Sequence, residues 1–424
     1  MTMRILFISN YYPPCRYAWG YQQLCEEVAD GLHARGHSIA VLTGICKDSA
    51  KNAHPYPVHE VLTIEPDWHS KKPAAWQFFF GRGRRERELL ASLQEQVARY
   101  QPDVLFFWHT GGLPRSLLVR AEQLPNVQVV YYLADYLPEF EDEYAAYWKS
   151  RPVHWSARLF KRPMALLALR MLAREDRHRL PKYEHCICVS DYVRRRLVMQ
   201  NLIPESAVVV HNGVDLNIFN SEKRQARLAL PGLRCLVAGR VSPEKGIHTV
   251  VEALGALRAA DALSGVTLTV LGSGPQDYVA HLREQVALQH LEEIVEFRAP
   301  IPREQMPEVL AQHDVLILAS EHAEPLARAI QEAMAMGLLV IGTTTGGSGE
   351  LLVHEKTGLV FEPGDAQSLA TQLMRAAKDP RLVSQLAEAG RKAVEQHFDI
   401  RRTIEQIERL LLDVLERKRS AAKD

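Results

Sequence analysis

The stretch from Arg4 to Leu42 reads RILFISNYYPPCRYAWGYQQLCEEVADGLHARGHSIAVL, and its reading decides the fold. Arg4-Ile5-Leu6-Phe7-Ile8 is a short apolar run of strand length. Leu24, Val28 and Leu32 then recur every four residues, the spacing that lines one face of a helix, and Gly36 stops that helix. Ser38-Ile39-Ala40-Val41-Leu42 resumes as the next strand. Strand, helix and strand in alternation argue for a parallel sheet covered by helices.

The same alternation runs outward from this unit. Further strands are expected at Val104 to Trp108, Val127 to Leu133 and Cys186 to Val189. Around 204–222 the pattern changes, where Val208-Val209-Val210 leads into the turn-rich His211-Asn212-Gly213-Val214-Asp215. It then restarts, with strands expected at Leu236 to Ala238, Val266 to Leu271, Val295 to Phe297, Val315 to Leu318 and Leu338 to Ile341. The fold class is therefore α/β with two Rossmann-like domains, 1–215 and 216–399. Near the end, Ile404, Ile407, Leu411 and Val414 mark one apolar face of a helix that must pack on something.

A length of 424 residues is too great for one core to grow comfortably, which agrees with two domains. Hydrophobic residues make up 47% and charged residues 24%, so disordered and fibrous classes are excluded. Lys+Arg and Asp+Glu are both 51, so no global field favours nucleic acid and any anion must be held locally. The six cysteines show no CxxC spacing, and Cys186 and Cys188 read as buried thiols in a reducing cytosol. The first apolar run is shorter than a signal-peptide core, and no stretch of about eighteen apolar residues lacks a charge. A cytoplasmic location is expected.

Ligands of open parallel sheets bind beyond the carboxyl ends of the strands. Gly239-Arg240-Val241-Ser242-Pro243-Glu244-Lys245-Gly246 puts two cations there, and an arginine fork beside a lysine point charge suits phosphate oxygens. From Glu324 to Gly337, Pro325 is expected at the first helical position. The amides of Leu326, Ala327 and Arg328 would then form an anion site at the helix entrance. Glu332 could accept from ribose hydroxyls, and Glu324 either accepts from sugar hydroxyls or merely caps the helix. Thr343-Thr344-Thr345-Gly346-Gly347-Ser348-Gly349-Glu350 is a weaker, glycine-rich turn of the same kind. In the first domain the aromatic loop Asn10 to Gly20 follows the first strand, with Gly20 at a helix entrance. His109 and Asp135 each follow a strand.

In this order the motifs resemble the retaining glycosyltransferases of family 4, with the GT-B fold. The parts that carry the resemblance are Asn10-Tyr11-Tyr12-Pro13-Pro14, the segment from Ala34 to Thr43, Val189-Ser190-Asp191-Tyr192-Val193, His211 to Asp215, Arg240 with Lys245, and Glu324 and Glu332 separated by seven residues. The resemblance implies two Rossmann-like domains facing each other across a cleft, with 1–215 binding the acceptor and 216–399 the donor. It implies that residues 400–424 return to the first domain. Arg240 and Lys245 would bind the diphosphate of a UDP- or GDP-linked sugar, Glu332 the ribose and Glu324 the transferred sugar, with Gly20, Leu326 and Ala327 also on the donor. Transfer to a small-molecule, glycan or lipid-linked acceptor would retain configuration by front-face attack. It would need no cofactor or metal, and the acidic run Glu139 to Glu143 reads as solvated.

Three departures from the family's pattern stand out. Glu324-Pro325-Leu326-Ala327 replaces a glycine-rich motif, Trp19-Gly20 replaces paired glycines, and Ala134-Asp135 stands where relatives carry a histidine. Either Asp135 or His109 is thereby expected to orient the acceptor, or the mechanism does without both. A nucleotide-sugar epimerase and a catalytically silent sugar-nucleotide-binding protein are the alternatives. The basic stretches Arg158 to Pro163, with Arg170 and Arg174, and Arg82 to Arg87 read first as solvated helix faces, and second as a peripheral contact with anionic lipid at the inner face of the membrane.

Overall fold

The computed structural model describes residues 1–46, 54–66, 73–151, 157–176, 180–223, 232–263 and 265–421. They form two compact units, one of residues 1–210 with 404–424 and one of 211–403.

In the first unit, β1 (Arg4–Ser9), β2 (Ser38–Gly44), β3 (Val58–Leu62), β4 (Val104–Phe107), β5 (Gln128–Leu133), β6 (Cys186–Cys188) and β7 (Val208–Val209) make one sheet in the order β3-β2-β1-β4-β5-β6-β7. Every neighbouring pair is parallel. Residues 5–9 of β1 are all buried, which is how a central parallel strand covered on both faces reads. The helix Gly20–Ala34 buries Leu24, Val28 and Leu32, the residues its periodicity selects. An aromatic stack fills the sheet centre, with Trp108 4.5 Å from Tyr132 and Phe7 5.3 Å from Phe106, ring centre to ring centre.

The last helix, Ile400–Ala421, buries Ile404, Ile407, Leu411 and Leu415, while Val414 is only partly covered. Gly31 faces it closely: a Cβ there would lie 2.3 Å from Ile404 Cδ1, so the Ile404 side chain would have to shift. Arg35 and His37 each donate to the Glu408 carboxylate at 2.7 Å, fixing the helix in register on this unit.

The second unit carries β8 (Leu233–Ala238), β9 (Val266–Leu271), β10 (Val295–Arg298), β11 (Val315–Leu318), β12 (Leu339–Gly342) and β13 (Leu359–Val360), in the order β10-β9-β8-β11-β12-β13 and again all parallel. Each sheet changes winding direction beside its first strand, at β1/β4 and β8/β11. That is the switch point beyond whose carboxyl end a ligand crevice forms.

The cysteine reading needs one correction. Cys186 and Cys188 are buried thiols, as are Cys25 and Cys235, but Cys15 and Cys46 form a disulfide between the aromatic loop and the end of β2. A pair 31 residues apart carries no spacing signal in a sequence; the parallel pairing of β1 with β2 is what brings the two together.

Candidate active site

In the second unit the turn after β8 is shaped by close backbone approaches. A Cβ on Gly272 would lie 1.8 Å from the Gly239 carbonyl oxygen, and one on Gly246 2.0 Å from that of Ala319. Gly246 also has φ +61, a left-handed conformation that favours glycine, and it opens the helix Ile247–Ala259. Lys245 is thereby aimed at the end of β11. Its Nζ lies 2.5 Å from Glu324 Oε1, which also accepts from the Ser320 hydroxyl at 2.5 Å. Burial pushes the Glu324 carboxyl up, but Lys245, Ser320 and His322 outweigh it and hold the group below its ordinary range. Arg240 is 64% exposed, with Glu244 3.9 Å away, so the same turn fixes one cation and presents the other outward.

The segment after β11 differs from expectation. The helix runs Arg328–Ala335 and does not begin at Pro325. Glu324 is held extended instead, in a parallel bridge with Gly346, and its carbonyl accepts from the Gly347 amide at 2.7 Å. Leu326 and Ala327 therefore precede the helix, Ala327 as its N-cap, and the first-turn amides begin at Arg328. Glu324 is no capping residue, because it stands outside the helix and its Oε1 accepts from Lys245 and Ser320. Glu332 lies on the helix, partly buried, 3.4 Å from Arg303.

The glycine-rich turn after β12 and the His211-Asn212-Gly213 segment act as supports. A Cβ on Gly346, at φ +69, would meet the Glu324 carbonyl oxygen at 2.2 Å. Gln331 is fully buried and donates to both the carbonyl and the side-chain oxygen of Asn212, at 3.0 and 2.9 Å.

In the first unit, buried Asn10 ties the ends of β1 and β4 together: its amide N–H donates to the His109 carbonyl at 2.8 Å and its Nδ2 to that of Gly111 at 3.1 Å. Its Oδ1 accepts from Gln22 at 3.0 Å, and Gln22 in turn accepts the Trp19 amide where Gly20 opens its helix. His109 Nδ1 accepts from the Gly111 amide at 3.2 Å, so Nε2 carries the hydrogen and faces Asp135 Oδ2 at 3.5 Å. Asp135 Oδ1 accepts from the Leu137 amide at 2.8 Å. Burial lowers His109 to about 4; burial raises Asp135 to about 7, against the smaller pull of the Leu137 amide. A neutral imidazole thus faces a carboxyl that titrates near neutral pH, a value suited to exchanging protons with a substrate hydroxyl. A cavity lies close by in the chain, lined by Thr110, Gly111, Arg115, Leu137 and Phe140 and not by His109 or Asp135 themselves.

The acidic run is not simply solvated. Glu139 forms a bidentate pair with Arg196 at 2.6 Å, Glu141 pairs with Lys149, and Asp142 caps the helix Glu143–Lys149.

Within each unit, then, the fold unites Lys245 with Glu324, and His109 with Asp135. The Glycosyltransferase Family 4 profile matches residues 20–218, and that of Glycosyl transferases group 1 matches 220–393. The chain belongs to this glycosyltransferase family.

Curated glycosyltransferases agree in sequence over part of the chain. It is 30% identical to YtcC of Bacillus subtilis over 248 residues, 54% of this chain and 60% of that protein. It is 31% identical to the amylovoran biosynthesis glycosyltransferase AmsK of Erwinia amylovora over 231 residues, 52% of this chain and 55% of that one. The match therefore spans less than two thirds of the length of these curated relatives. In structure the glycosyltransferase is similar to HepE of Anabaena, crystallised with UDP, at a TM-score of 0.68 and 23% identity over 97% of this chain and 100% of that chain. The two units have the GT-B fold.

Sequence reasoning missed Ser320, Arg303 and Gln331. Ser320 and Arg303 carry no motif. Gln331 adjoins Glu332, and in a sequence the carboxylate carries the stronger chemical signal.

Proposed function

We propose that this glycosyltransferase moves a sugar from a nucleoside-diphosphate sugar to an acceptor hydroxyl, with retention of anomeric configuration and without a metal. The observation that carries the reading is the meeting of Lys245, Glu324 and Ser320 beyond the switch point of the second sheet, with Arg240 presented outward on the same turn. Lys245 and Arg240 would take the diphosphate, whose charge grows as the bond to the sugar breaks, and the amides from Arg328 onward would add to them. Glu324, held ionised, can accept from sugar hydroxyls, and Glu332 from the ribose.

The first unit would hold the acceptor. Asp135, titrating near neutrality beside the Nε2–H of His109, would orient the attacking hydroxyl, while the leaving phosphate takes its proton in a front-face attack. Those two residues would fill the place left by Ala134. UDP-sugars are the first donors to try, because HepE was crystallised with UDP and with UDP-glucose.

The test is nucleotide release from UDP-, GDP- and ADP-sugars with a panel of hydroxyl acceptors, in the presence of a chelator, with proton NMR of the product. Release of one nucleotide together with a product of unchanged anomeric configuration is expected. An inverted product, or activity lost to the chelator, would contradict retention or metal independence respectively. No release from any donor would leave a silent binding protein as the reading.

A further inference from the structure

The helix Ala157–Asp176 plays no part in the groups above, and its two faces do not look like those of a solvated helix. The inner face packs Ala168 and Leu172, with Ala165 and Leu169, against Phe78, Tyr144 and Trp148. A helix on such a core should turn polar side chains outward. This one exposes Leu166 by 70%, Leu167 by 57%, Met171 by 40% and Met164 by 39%. Between Lys161 and Arg174 it carries Lys161, Arg162, Arg170 and Arg174 and no acidic residue; Glu175 and Asp176 close the helix. The side chains of Arg158, Leu159 and Phe160 lie outside the described residues.

A second apolar pair belongs to the segment that covers the same small core. Phe78 and Phe79 turn inward to Trp148, whereas Trp76 and Phe80, with ring centres 4.4 Å apart, are 54% and 71% exposed. The run Arg82 to Arg87 follows directly, but Arg85 is engaged by buried Glu65 and Arg84 by Glu88, so it does not count toward a free basic surface.

Uncovered leucines and methionines flanked by exposed arginines call for a partner both apolar and anionic. A second copy of the same face would bring arginine against arginine. A nucleic acid would meet the arginines but leave the leucines unused. A bilayer of anionic lipid satisfies both, with headgroup phosphates on the arginines and the acyl boundary taking Leu166, Leu167 and Met171. We propose that the outer face of helix 157–176 is a docking surface for anionic phospholipid bilayers, on which the protein sits peripherally with this helix in the headgroup plane. No described helix is long and apolar enough to cross a membrane. The proposal is independent of the transfer reaction.

Co-sedimentation of the full chain, without nucleotide sugar, with phosphatidylcholine vesicles with or without added phosphatidylglycerol tests it. Wild type is expected to pellet with the anionic vesicles and little with the neutral ones. Leu166→Glu with Leu167→Glu, and separately Arg170→Glu with Arg174→Glu, should each weaken that binding by about tenfold or more, with unchanged melting curves because these side chains touch water. Absence of wild-type binding, or binding untouched by both double variants, would overturn the proposal. So would a dimer in sedimentation velocity that the leucine variant dissolves, since the face would then belong to a second copy.

Discussion

Glu324 is 6% exposed, an unfavourable place for a carboxylate were it not for the ammonium of Lys245 at 2.5 Å. Lys245→Ala leaves that carboxylate uncompensated, and a loss of roughly 3 kcal/mol in urea unfolding is expected. Glu324→Gln keeps a partner for Ser320 and should lose less. Because the folded Glu324 titrates below its ordinary 4.5, its contribution to stability is complete above that value and disappears as pH falls through the folded value. The acid limb of unfolding should therefore be flatter in Glu324→Gln; an unchanged limb would argue against the pair. His109 and Asp135 work in opposite senses. Asp135 keeps its proton in the folded chain up to about 7, so its contribution falls as pH rises from its ordinary 3.8. His109 resists protonation down to about 4, so its contribution falls as pH drops below its ordinary 6.5. The two slopes oppose each other between these limits. Asp135→Asn should leave a melting temperature that drops toward acid, and His109→Gln one that drops toward neutral pH. Parallel profiles in the two variants would contradict the placement of the pair.

At the scale of elements, the site depends on turns that admit no side chain. Gly346→Ala would place a Cβ 2.2 Å from the carbonyl oxygen of Glu324 in a left-handed conformation, so Glu324 must move. A cost on the order of 2 kcal/mol or more is expected, with loss of transfer; an unchanged unfolding midpoint would refute that close approach. Strands and helices were largely legible because a parallel sheet declares itself through unbroken apolar runs such as Ile5 to Ile8 and Val315 to Leu318. The start of the helix after β11 was not. Pro325 is a good first helical residue locally, but the bridge from Glu324 to Gly346 overrides that preference by holding the chain extended. Such a bridge joins segments 22 residues apart and leaves no periodic trace. The Cys15–Cys46 disulfide was invisible for the same reason.

At the scale of the whole molecule, the family and the two α/β sheets could be read from the chain, as could Lys245 and Glu324 as candidates. What could not be read was which cation is fixed. Arg240 and Lys245 lie in one turn with equal sequence support, yet only Lys245 is pinned, since only its side chain reaches the end of β11. Ligand linkage offers a global readout: a donor at about a hundred times its dissociation constant should stabilise the native state by roughly 2.7 kcal/mol, raising the melting temperature by several degrees. Absence of a shift with every nucleoside-diphosphate sugar would count against donor binding. The central claim is that the two cations of this turn hold a diphosphate, and calorimetric titration of UDP against uridine in wild type, Arg240→Ala and Lys245→Ala isolates it. Each substitution is expected to weaken UDP by about tenfold or more while leaving uridine unchanged, because a charged hydrogen bond contributes about 1.5–3 kcal/mol. Equal UDP affinity in all three folded proteins would contradict it.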